Sequence, residues 1–425
     1  MKNLLLTTLF VLTGFLRLNA QDTITVMHYN LLYYGHTTTF CTQSNNHVNT
    51  KAQNMATIVH HVSPHILTVN EMGANSFAPN HFLDNVLNIN NINYFKGSTL
   101  TNVSGGSIAN MLYYDARKFV LHREHVLETD VRDINLYILF YNDPYLWQHR
   151  DTSFLVVMTT HLKAGNTASD RAIRAATTAM LMDSAGLWSG LPALFSGDLN
   201  FYTANEPGYR NLTYPADTTW ERFHDPIQQE GDWQDNPLFA QIHTQSTHAV
   251  SNGCAVGGGL DDRFDFILIN EVLKHHSTRF AYLPNSYYAL GNDGNHLNLS
   301  VNDGPNHSAP PHIIQALYDA SDHLPVVMQM VVNTPVGIKE TVNHAPFANL
   351  TLQHNELEIT LSTPATLRQV QLFDLTGRVI CSFDPHLKYS NRYTFTLPSH
   401  VPPGMLIVRA MDEEGITYRG KVLAF

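Results

Sequence analysis

Charged residues are scarce in this 425-residue chain, and basic residues are the scarcer kind. Asp, Glu, Lys and Arg make up 14% of the sequence, with 25 basic against 36 acidic residues. Within residues 21–335 the count is 15 basic against 28 acidic, a net charge of −13. A segment with that balance has no basic footprint for gripping a polyanion through counterion release. Chemistry on a phosphate group would therefore depend on a bound cation and a few placed side chains.

Long hydrophobic runs are absent after the first twenty residues. At the N-terminus, Lys2 precedes an almost wholly apolar stretch over residues 4–16, and the small Ala20 follows. This arrangement is typical of a secretory signal peptide, and the apolar stretch is too short to span a bilayer well. We therefore expect a signal peptide over residues 1–20, a secreted protein that begins near Gln21, and no stable membrane insertion.

Cysteine is rare, with Cys41, Cys254 and Cys381 as the full set. An odd number in a secreted protein leaves at least one thiol unpaired or bonded to another chain. Cys41 and Cys254 lie in polar loops rich in Gly and Asn, so a bridge between them is one alternative and free thiols are the other. Cys381 lies in an apolar run and is expected to be a buried structural thiol.

The hydrophobic content of 44% is enough for a sizeable core, and the length favours two domains. Apolar segments such as TITVMHYN, FLVVMTTHL and LPALFSGDLN are typical of strands, whereas NMATIVHHV and SDRAIRAATTAMLMDSAGLW have helical spacing. This alternation predicts an α/β domain whose strands are buried on both faces. The polar stretches 36–50, 201–260 and 280–320 are long enough to wrap a functional site.

The pattern changes after about residue 334. Helical spacing disappears, and short β segments such as ELEITLS, RYTFTLP and GMLIVRA follow at regular intervals with turn residues between them. That pattern predicts a small all-β, immunoglobulin-like sandwich. We expect the α/β domain to cover residues 21–334, a linker residues 335–344, and the sandwich residues 345–425.

Polar side chains stand at the ends of the strands predicted in the α/β domain, which is where such proteins place their chemistry. In chain order they are Asn30, Glu71, His161, Asp198, Asn200, Asp265, Asp322 and His323. Each one alone is explained by a turn, a cap or a solvated surface, and Asp198 with Asn200 by an Asx turn. In extended chain, however, Asp198 and Asn200 project from the same face. The whole set is hard to assign to turns.

The order Asn, Glu, His, Gly-Asp-x-Asn, Asp and Ser-Asp-His, as these residues stand here, resembles the endonuclease/exonuclease/phosphatase superfamily. That superfamily includes deoxyribonuclease-I-like enzymes, bacterial sphingomyelinases and inositol-phosphate phosphatases. The resemblance covers roughly residues 23–332. It implies a four-layer α/β sandwich, in which two packed mixed sheets are flanked by helices.

The resemblance also implies a metal site and a general base. Glu71, with Asn30 and Asp322, would bind a divalent metal ion. Oxygen ligands with open water positions suit Mg²⁺ or Mn²⁺, with Ca²⁺ as a supporting ion. His323 would be the general base that activates water, and Asp265 would orient its ring and stabilise its cation.

The remaining residues of the set would act on the phosphate. By the same resemblance, Asp198 would position the nucleophile or leaving group, Asn200 would donate to a phosphate oxygen, and His161 would steady the phosphate charge. Many nucleases of this superfamily place a carboxylate beside the second histidine, where this sequence has Asn110. An amide can orient His161 but cannot stabilise its cation as a carboxylate would.

The tail resembles the type IX secretion C-terminal sorting domain of Bacteroidetes proteins. The match rests on VQLFDLTGRVI, LPSHVPPGMLIVRA and the terminal YRGKVLAF. It implies export across the outer membrane, with the secretion machinery as a partner, and a secreted or outer-surface location. The alternative is a plain β-sandwich binding module.

Taken together, these patterns predict a secreted, divalent-metal-dependent phosphodiesterase, and within that class a nuclease with DNA or RNA as its substrate. Two alternatives stay open: a phosphatase or sphingomyelinase-like phosphodiesterase with smaller substrates, and a surface binding protein without turnover. The lipid version would need an exposed apolar hairpin, for which residues 141–149 are the nearest candidate. Residues 291–308 form either a substrate-facing lid or a surface loop. The substrate and the oligomeric state stay open.

Overall fold

The computed structural model describes residues 20–425 except for 144–145, 147–151, 217–220, 276–277, 335–343, 354, 375–377, 384–388, 399–400, 402–403, 415 and 425. Almost all of the predicted signal peptide and of the predicted linker therefore lies outside the described residues, as does most of the candidate hairpin. The chain divides into two compact units, residues 1–334 and residues 335–425. Within the described parts of the chain, every helix is too short or too polar to cross a membrane.

The first unit alternates strands with helices. Its strands are β1 (Ala20–Tyr34), β2 (Ile66–Gly73), β3 (Phe95–Gly97), β4 (Ile108–Asp115), β5 (Phe119–Leu127), β6 (Ile134–Tyr141), β7 (Phe154–His161), β8 (Ala193–Asp198), β9 (Phe223–His224), β10 (Asp265–Asn270), β11 (Phe280–Tyr282), β12 (Tyr288–Ala289) and β13 (Val326–Thr334). Its α-helices are α1 (Val48–Val62), α2 (Phe77–Phe82), α3 (Ala168–Asp183), α4 (Pro207–Thr213), α5 (Glu271–Lys274) and α6 (Pro311–Ala320). One π-helical turn (Leu83–Leu87) and two 3₁₀ segments (Ala185–Leu187 and Pro237–Ile242) complete the described elements.

Two mixed sheets form the centre of this unit. One has the order β11-β13-β1-β2-β4-β3, with β12 also paired to β13, and the other has the order β5-β6-β7-β8-β10-β9. Each sheet contains a parallel pair, β1 with β2 and β7 with β8. Parallel neighbours need a crossover connection, and α1 and α3 lie in the two connections.

The layers follow from where the apolar side chains point. One buried cluster joins side chains of both sheets, among them Val26, Leu139 and Ile267. A second cluster packs α1 and α6 on the outer face of the first sheet, and a third contains side chains of α3 and the second sheet. The predicted four-layer α/β sandwich is confirmed.

A close approach of two strands explains Gly197. It pairs with Thr160 across the parallel β7 and β8, and a Cβ placed on it would lie 2.0 Å from the Thr160 carbonyl oxygen. A side chain here would force the strands apart, because real contacts of that length do not occur. The strand that carries Asp198 can therefore lie directly beside the strand that carries His161.

A disulfide joins two loops that are distant in sequence. Cys41 and Cys254 are bonded across a separation of 213 residues, which decides the alternative that the sequence left open. Their sulfur atoms belong to a small buried cluster with Leu32 and Ala255. Cys381 is a free cysteine and only partly buried, not fully buried as expected.

The described residues of the second unit form only strands and their connections. Its strands are β14 (His344–Pro346), β15 (Asn349–Gln353), β16 (Glu356–Ala365), β17 (Leu367–Phe373), β18 (Val379–Phe383), β19 (Ser390–Thr396), β20 (Gly404–Asp412) and β21 (Thr417–Ala424). They form sheets with the orders β14-β21-β20-β17-β18 and β15-β16-β19. Leu357 and Phe395 of the smaller sheet share one core with Val370 and Val408 of the larger, as the predicted sandwich requires.

Candidate active site

The candidate site lies where the two parallel pairs end. Asn30 lies in β1, Glu71 in β2, and His161 and Asp198 at the last positions of β7 and β8. The amide Nδ2 of Asn30 lies 3.0 Å from Asp198 Oδ2, so the two sheets meet at this point. The carboxyl ends of parallel strands share one edge of a sheet. The packing of the sheets brings both edges together.

His323 and Asp265 form the firmest contact of the site. Nδ1 of His323 donates to Asp265 Oδ2 at 2.7 Å, and both side chains are buried. Nε2 of the ring is directed toward Asp198, whose Oδ2 lies 3.7 Å away. Burial opposes a charge on this ring, but Asp265, Asp198 and Asp322 outweigh it and raise the pKa of His323 well above its usual value.

Asn30 bridges two carboxylates. Its Nδ2 donates to Glu71 Oε1 at 3.2 Å as well as to Asp198, while its Oδ1 accepts from the Leu32 amide at 3.0 Å. The other oxygen of Glu71 accepts from the Tyr33 amide at 3.1 Å. Because the Asn30 carbonyl faces the backbone, this side chain acts here as a donor to carboxylates. The sequence had predicted it as an oxygen ligand.

Glu71 lies at an irregular position of β2. The pairing of β2 with β4 shifts register between Val69 and Met72, and Glu71 has a φ of +57°. A left-handed backbone is strained for a residue with a side chain, and such strain is concentrated at functional sites. Burial raises the pKa of Glu71, and the nearby Asp322 raises it further.

Asp198 lies at the centre of these contacts. Burial raises the pKa of Asp198 to about 8, and Asp265 and Glu71 add to the rise against the opposing effect of His323. Oδ1 of Asp198 accepts from the amide of Asn200 at 2.7 Å. Asn200 has a φ of +52° beyond the end of β8. The two side chains therefore meet through a left-handed residue, and extended chain was the wrong reason for expecting it.

His161 completes a group that could hold a metal ion. Nε2 lies 3.2 Å from Asp198 Oδ2, and Nδ1 lies 3.7 Å from Glu71 Oε1. One ligand atom from each of these three residues lies within 4.8 Å of the others. Nδ1 is buried and has no hydrogen-bond partner among the described residues. A buried carboxylate, a partly buried one and an imidazole with an unpaired nitrogen fit a divalent cation, which would compensate the like charges.

Asp322 is placed differently from the prediction. Its Oδ2 accepts from the backbone amide of Val256 at 3.0 Å, and it is not one of the three residues grouped above. The negative charge of Asp322 nevertheless raises the pKa values of both Glu71 and His323. Asp322 therefore contributes to the field of the site while its side chain fastens a loop.

The side chain of Asn110 does not take the role of the carboxylate that many nucleases of the superfamily place beside the second histidine. Its amide donates to Asn135 Oδ1 and to the Asp133 carbonyl, and its oxygen accepts from Asn70. The acidic neighbours of His161 are instead Glu71 and Asp198. Burial lowers the pKa of His161 well below its usual value, and the positive charge of Arg132 lowers it further.

Three residues of the site escaped the sequence analysis. Nε2 of Gln245 lies 2.7 Å from His323 Nε2, Asn70 Oδ1 accepts from the Asp198 amide at 2.8 Å, and Arg132 donates to the His161 carbonyl at 3.2 Å. Asn70 directly precedes Glu71, and that adjacency was the available signal. Gln245 and Arg132 lie in connections without any distinctive spacing.

The segment 291–308 is fastened within itself. His296 is buried and contacts Asp293 Oδ1 at 2.8 Å and the Asp303 carbonyl at 2.9 Å. The amide of Asn306 donates to the carbonyls of Gly291 and Val301. These bonds fix the position of the segment, and both alternatives, a substrate-facing lid and a surface loop, stay open.

No protein-family model matches the sequence, and no characterised protein matches it in sequence. Solved structures do align with it. An endonuclease/exonuclease/phosphatase protein from Beutenbergia cavernae is 13% identical with a TM-score of 0.44, covering 94% of this chain and 99% of that chain. The human Nocturnin catalytic domain with bound sulfate is 14% identical with a TM-score of 0.44, covering 73% and 97%.

D. rerio TDP2 in complex with a single-stranded DNA product is also similar, at 12% identity and a TM-score of 0.43, covering 73% of this chain and 99% of that chain. Scores at this level do not transfer an activity from one protein to another. The function of this chain has to follow from its own site.

Proposed function

We propose that this chain is a secreted, divalent-metal-dependent phosphodiesterase, and specifically a nuclease that hydrolyses DNA or RNA. One observation carries the proposal: His323 is held by Asp265 at 2.7 Å and directs Nε2 toward the cluster of Glu71, His161 and Asp198. A histidine oriented by a buried carboxylate is the arrangement of a general base. Neighbouring carboxylates that fit a cation supply the other half of phosphoester hydrolysis.

Glu71 and Asp198 would hold the cation, and Mg²⁺ or Mn²⁺ suits their oxygen atoms. When bound, the ion would neutralise phosphate charge and assist the leaving oxygen. With a cation bound to Asp198, the negative charge of that carboxylate would be partly neutralised, and the pKa of His323 would be raised less. The neutral ring could then accept a proton at Nε2.

The remaining side chains hold the reacting groups in place. With Nδ1–H bonded to Asp265, Nε2 of His323 is the acceptor for a proton from an attacking water. Gln245 contacts the same nitrogen at 2.7 Å, so the water has to replace or share this contact. His161, beside Glu71 and Asp198, and Arg132, which donates to the His161 carbonyl, would stabilise the charge of a bound phosphate. Fixed donors of this kind act through positioning and charge stabilisation.

The alternative with a smaller substrate has support of its own. The net charge of −13 over residues 21–335 disfavours a tight grip on nucleic acid. The exposed apolar side chains of Val250 and Val256 belong to the loop whose backbone holds Asp322. A phospholipid or another small phosphodiester would tolerate both features.

The test is an assay of the purified protein with supercoiled DNA, RNA, a phosphomonoester and a choline phospholipid. Each is incubated with Mg²⁺, with Mn²⁺ and with a chelator. Metal-dependent nicking of DNA or cleavage of RNA is the expected result. Turnover of the lipid or monoester alone would move the assignment to the smaller substrate, and metal binding without any turnover would favour a binding protein.

Glu71→Gln should weaken metal binding about ten- to a hundredfold, because it removes one of two charged oxygen donors. A tenfold change corresponds to about 1.4 kcal/mol, and contacts to charged groups are worth about 1.5–3 kcal/mol. Calorimetric titration of the protein with Mn²⁺ measures the effect directly. The matched control is Glu124→Gln on β5, outside the site. Equal weakening in both variants would rule out Glu71 as a ligand.

Location is part of the same proposal. The apolar N-terminal stretch and the tail motifs support export by a signal peptide followed by the type IX secretion machinery. The disulfide between Cys41 and Cys254 also suits an oxidising compartment. Deletion of residues 345–425 should retain the protein inside the cell, as fractionation of an expressing Bacteroidetes host would measure.

A further inference from the structure

Four buried polar side chains cross the apolar space between the two sheets below the candidate active site. His28 lies in β1, Thr68 in β2, Ser196 in β8 and Asp265 in β10, and each is 0% exposed. Their surroundings are the apolar cluster shared by both sheets. Buried polar groups cost free energy unless they are hydrogen-bonded. This set therefore needs a reason.

The four side chains form one continuous line. Ser196 Oγ lies 2.8 Å from Thr68 Oγ1, and Thr68 Oγ1 lies 3.1 Å from His28 Nδ1. On the other side of the ring, His28 Nε2 lies 3.7 Å from Asp265 Oδ1. Neither of these last two atoms has a hydrogen-bond partner elsewhere in the described part of the chain. The other oxygen of Asp265 accepts from His323.

The carboxylate at one end sets the direction of every proton in this line. An ionised Asp265 only accepts hydrogen bonds, so the atom that faces Oδ1 has to carry a proton. Burial lowers the pKa of His28 to about 4, so its ring is neutral and carries a single proton. That proton belongs on Nε2. Nδ1 then accepts from the Thr68 hydroxyl, and the single hydroxyl proton of Ser196 is shared between Thr68 and the Met158 carbonyl, which lies 3.1 Å from Ser196 Oγ.

We propose that His28 is a positioning residue for His323 and acts through Asp265. The Nε2–H of His28, whose nitrogen lies 3.7 Å from Asp265 Oδ1, attracts that oxygen electrostatically and so keeps Oδ2 turned toward His323 Nδ1. Asp265 sets the tautomer of His28, while Thr68, in contact with Ser196 of the other sheet, holds the plane of the ring. This inference rests on the proposed role of His323 as a general base, and it adds the group that orients the partner of that base.

Substitution of His28 should therefore weaken the hydrogen bond between Asp265 and His323. Without this histidine, the buried Asp265 Oδ1 would lose the N–H group that faces it at 3.7 Å, and the carboxylate could turn away or take up a proton. Either change would remove the acceptor that holds the proton of His323 on Nδ1. Partners that act behind the first layer of a site typically contribute about 10–100-fold to activity.

Three substitutions separate this role from plain packing. His28→Gln places an amide N–H at the level of Nε2 and can still reach Asp265. His28→Asn ends at the level of Nδ1, so it keeps a polar atom near Thr68 but cannot reach Asp265. His28→Leu is apolar and of similar size. All three would be made in the full chain and compared by thermal unfolding.

We expect kcat to fall about 10–100-fold in His28→Asn and His28→Leu with KM unchanged, and to stay within a few-fold of the natural protein in His28→Gln. The proton NMR signal of His323 Nδ1–H should be displaced far downfield in the natural protein and in His28→Gln. In the other two variants it should move upfield or disappear. The signal needs no substrate, so it decides the positioning role even if none of the proposed substrates is turned over.

Unchanged kcat and an unchanged signal in His28→Asn would overturn the proposal. So would equal losses of kcat in the Gln and Asn variants that follow their losses of thermal stability, since packing would then explain both. If His28→Leu does not fold, the Gln and Asn pair alone carries the comparison, because both are polar amides and Gln alone reaches Asp265.

Discussion

Replacement of His323 by alanine should lower kcat by about 10²–10⁴-fold, the contribution that a positioned general base typically makes. Nε2 of this ring is the basic atom directed at the carboxylate cluster, and Asp265 holds Nδ1 at 2.7 Å. Metal affinity should stay within a few-fold, because Glu71 and Asp198 keep their carboxylates. Steady-state kinetics together with Mn²⁺ titration would measure both quantities.

The matched control is His312→Ala, which removes an exposed imidazole from α6 and should leave kcat unchanged. A sharper test combines His323→Ala with Asp265→Ala. Residues that act as one unit are strongly non-additive, so the double variant should lose little more than His323→Ala alone. Retention of kcat within tenfold in His323→Ala would remove this ring from the role of base.

The sequence predicted the fold where periodicity and burial agree. β7, β8 and β10 are short apolar runs buried along almost their whole length, and such runs are the strongest strand signal. The strand β5 lacks this signal because it is an edge strand of its sheet, with a mostly exposed run of His122, Arg123 and Glu124. Charged residues of this kind prevent an edge strand from pairing with another chain, but they also interrupt the apolar pattern by which a strand is recognised.

Helix α6 was missed for a different reason. Residues 280–320 were expected to form a long polar loop, yet Pro311 occupies the first turn of a helix, where its missing N–H costs nothing. The four apolar residues Ile313, Ile314, Ala316 and Leu317 that pack against α1 follow directly. Proline at the start of an apolar period was evidence for a helix.

The sequence indicated which residues lie together at the candidate site, but not which of their atoms are in contact. All eight residues named from strand ends lie in or beside one cluster, because the topology brings the ends of both parallel pairs together. The contact between Asp322 and the Val256 amide joins segments 66 residues apart, so no local pattern predicts it. The oxygen of Asn30 instead accepts from the amide of Leu32, two residues on, as in an Asx turn, and such a local bond competes with metal binding.

The position of Asp322 depends on a loop that is held by covalent and polar contacts. Val256 lies two residues after Cys254, and its carbonyl accepts from Ser246 Oγ at 2.5 Å. From the other side of the disulfide, the amide of Asn45 donates to the Asn252 carbonyl at 3.3 Å. The disulfide thus links the 36–46 segment to the loop that fastens a charge of the active site.

Replacement of both Cys41 and Cys254 by serine should lower the free energy of unfolding of the first unit by about 2–4 kcal/mol, because the bridge closes a long loop in the unfolded chain. All four tryptophans belong to residues 1–334, so their fluorescence in a urea titration reports on this unit alone. Cys381→Ser is the control for loss of a thiol, and it lies in the second unit, where fluorescence should not register it.

The same double variant should also lose activity under conditions where it is still folded. Once the bond is gone, the loop that carries Val256 keeps only its polar contacts, and Asp322 loses a fixed donor. A reductant added to the natural protein should reproduce both effects, since it breaks the same bond without changing any other atom. If reduction lowers stability but leaves kcat unchanged, the disulfide supports the fold alone, and the position of Asp322 does not depend on it.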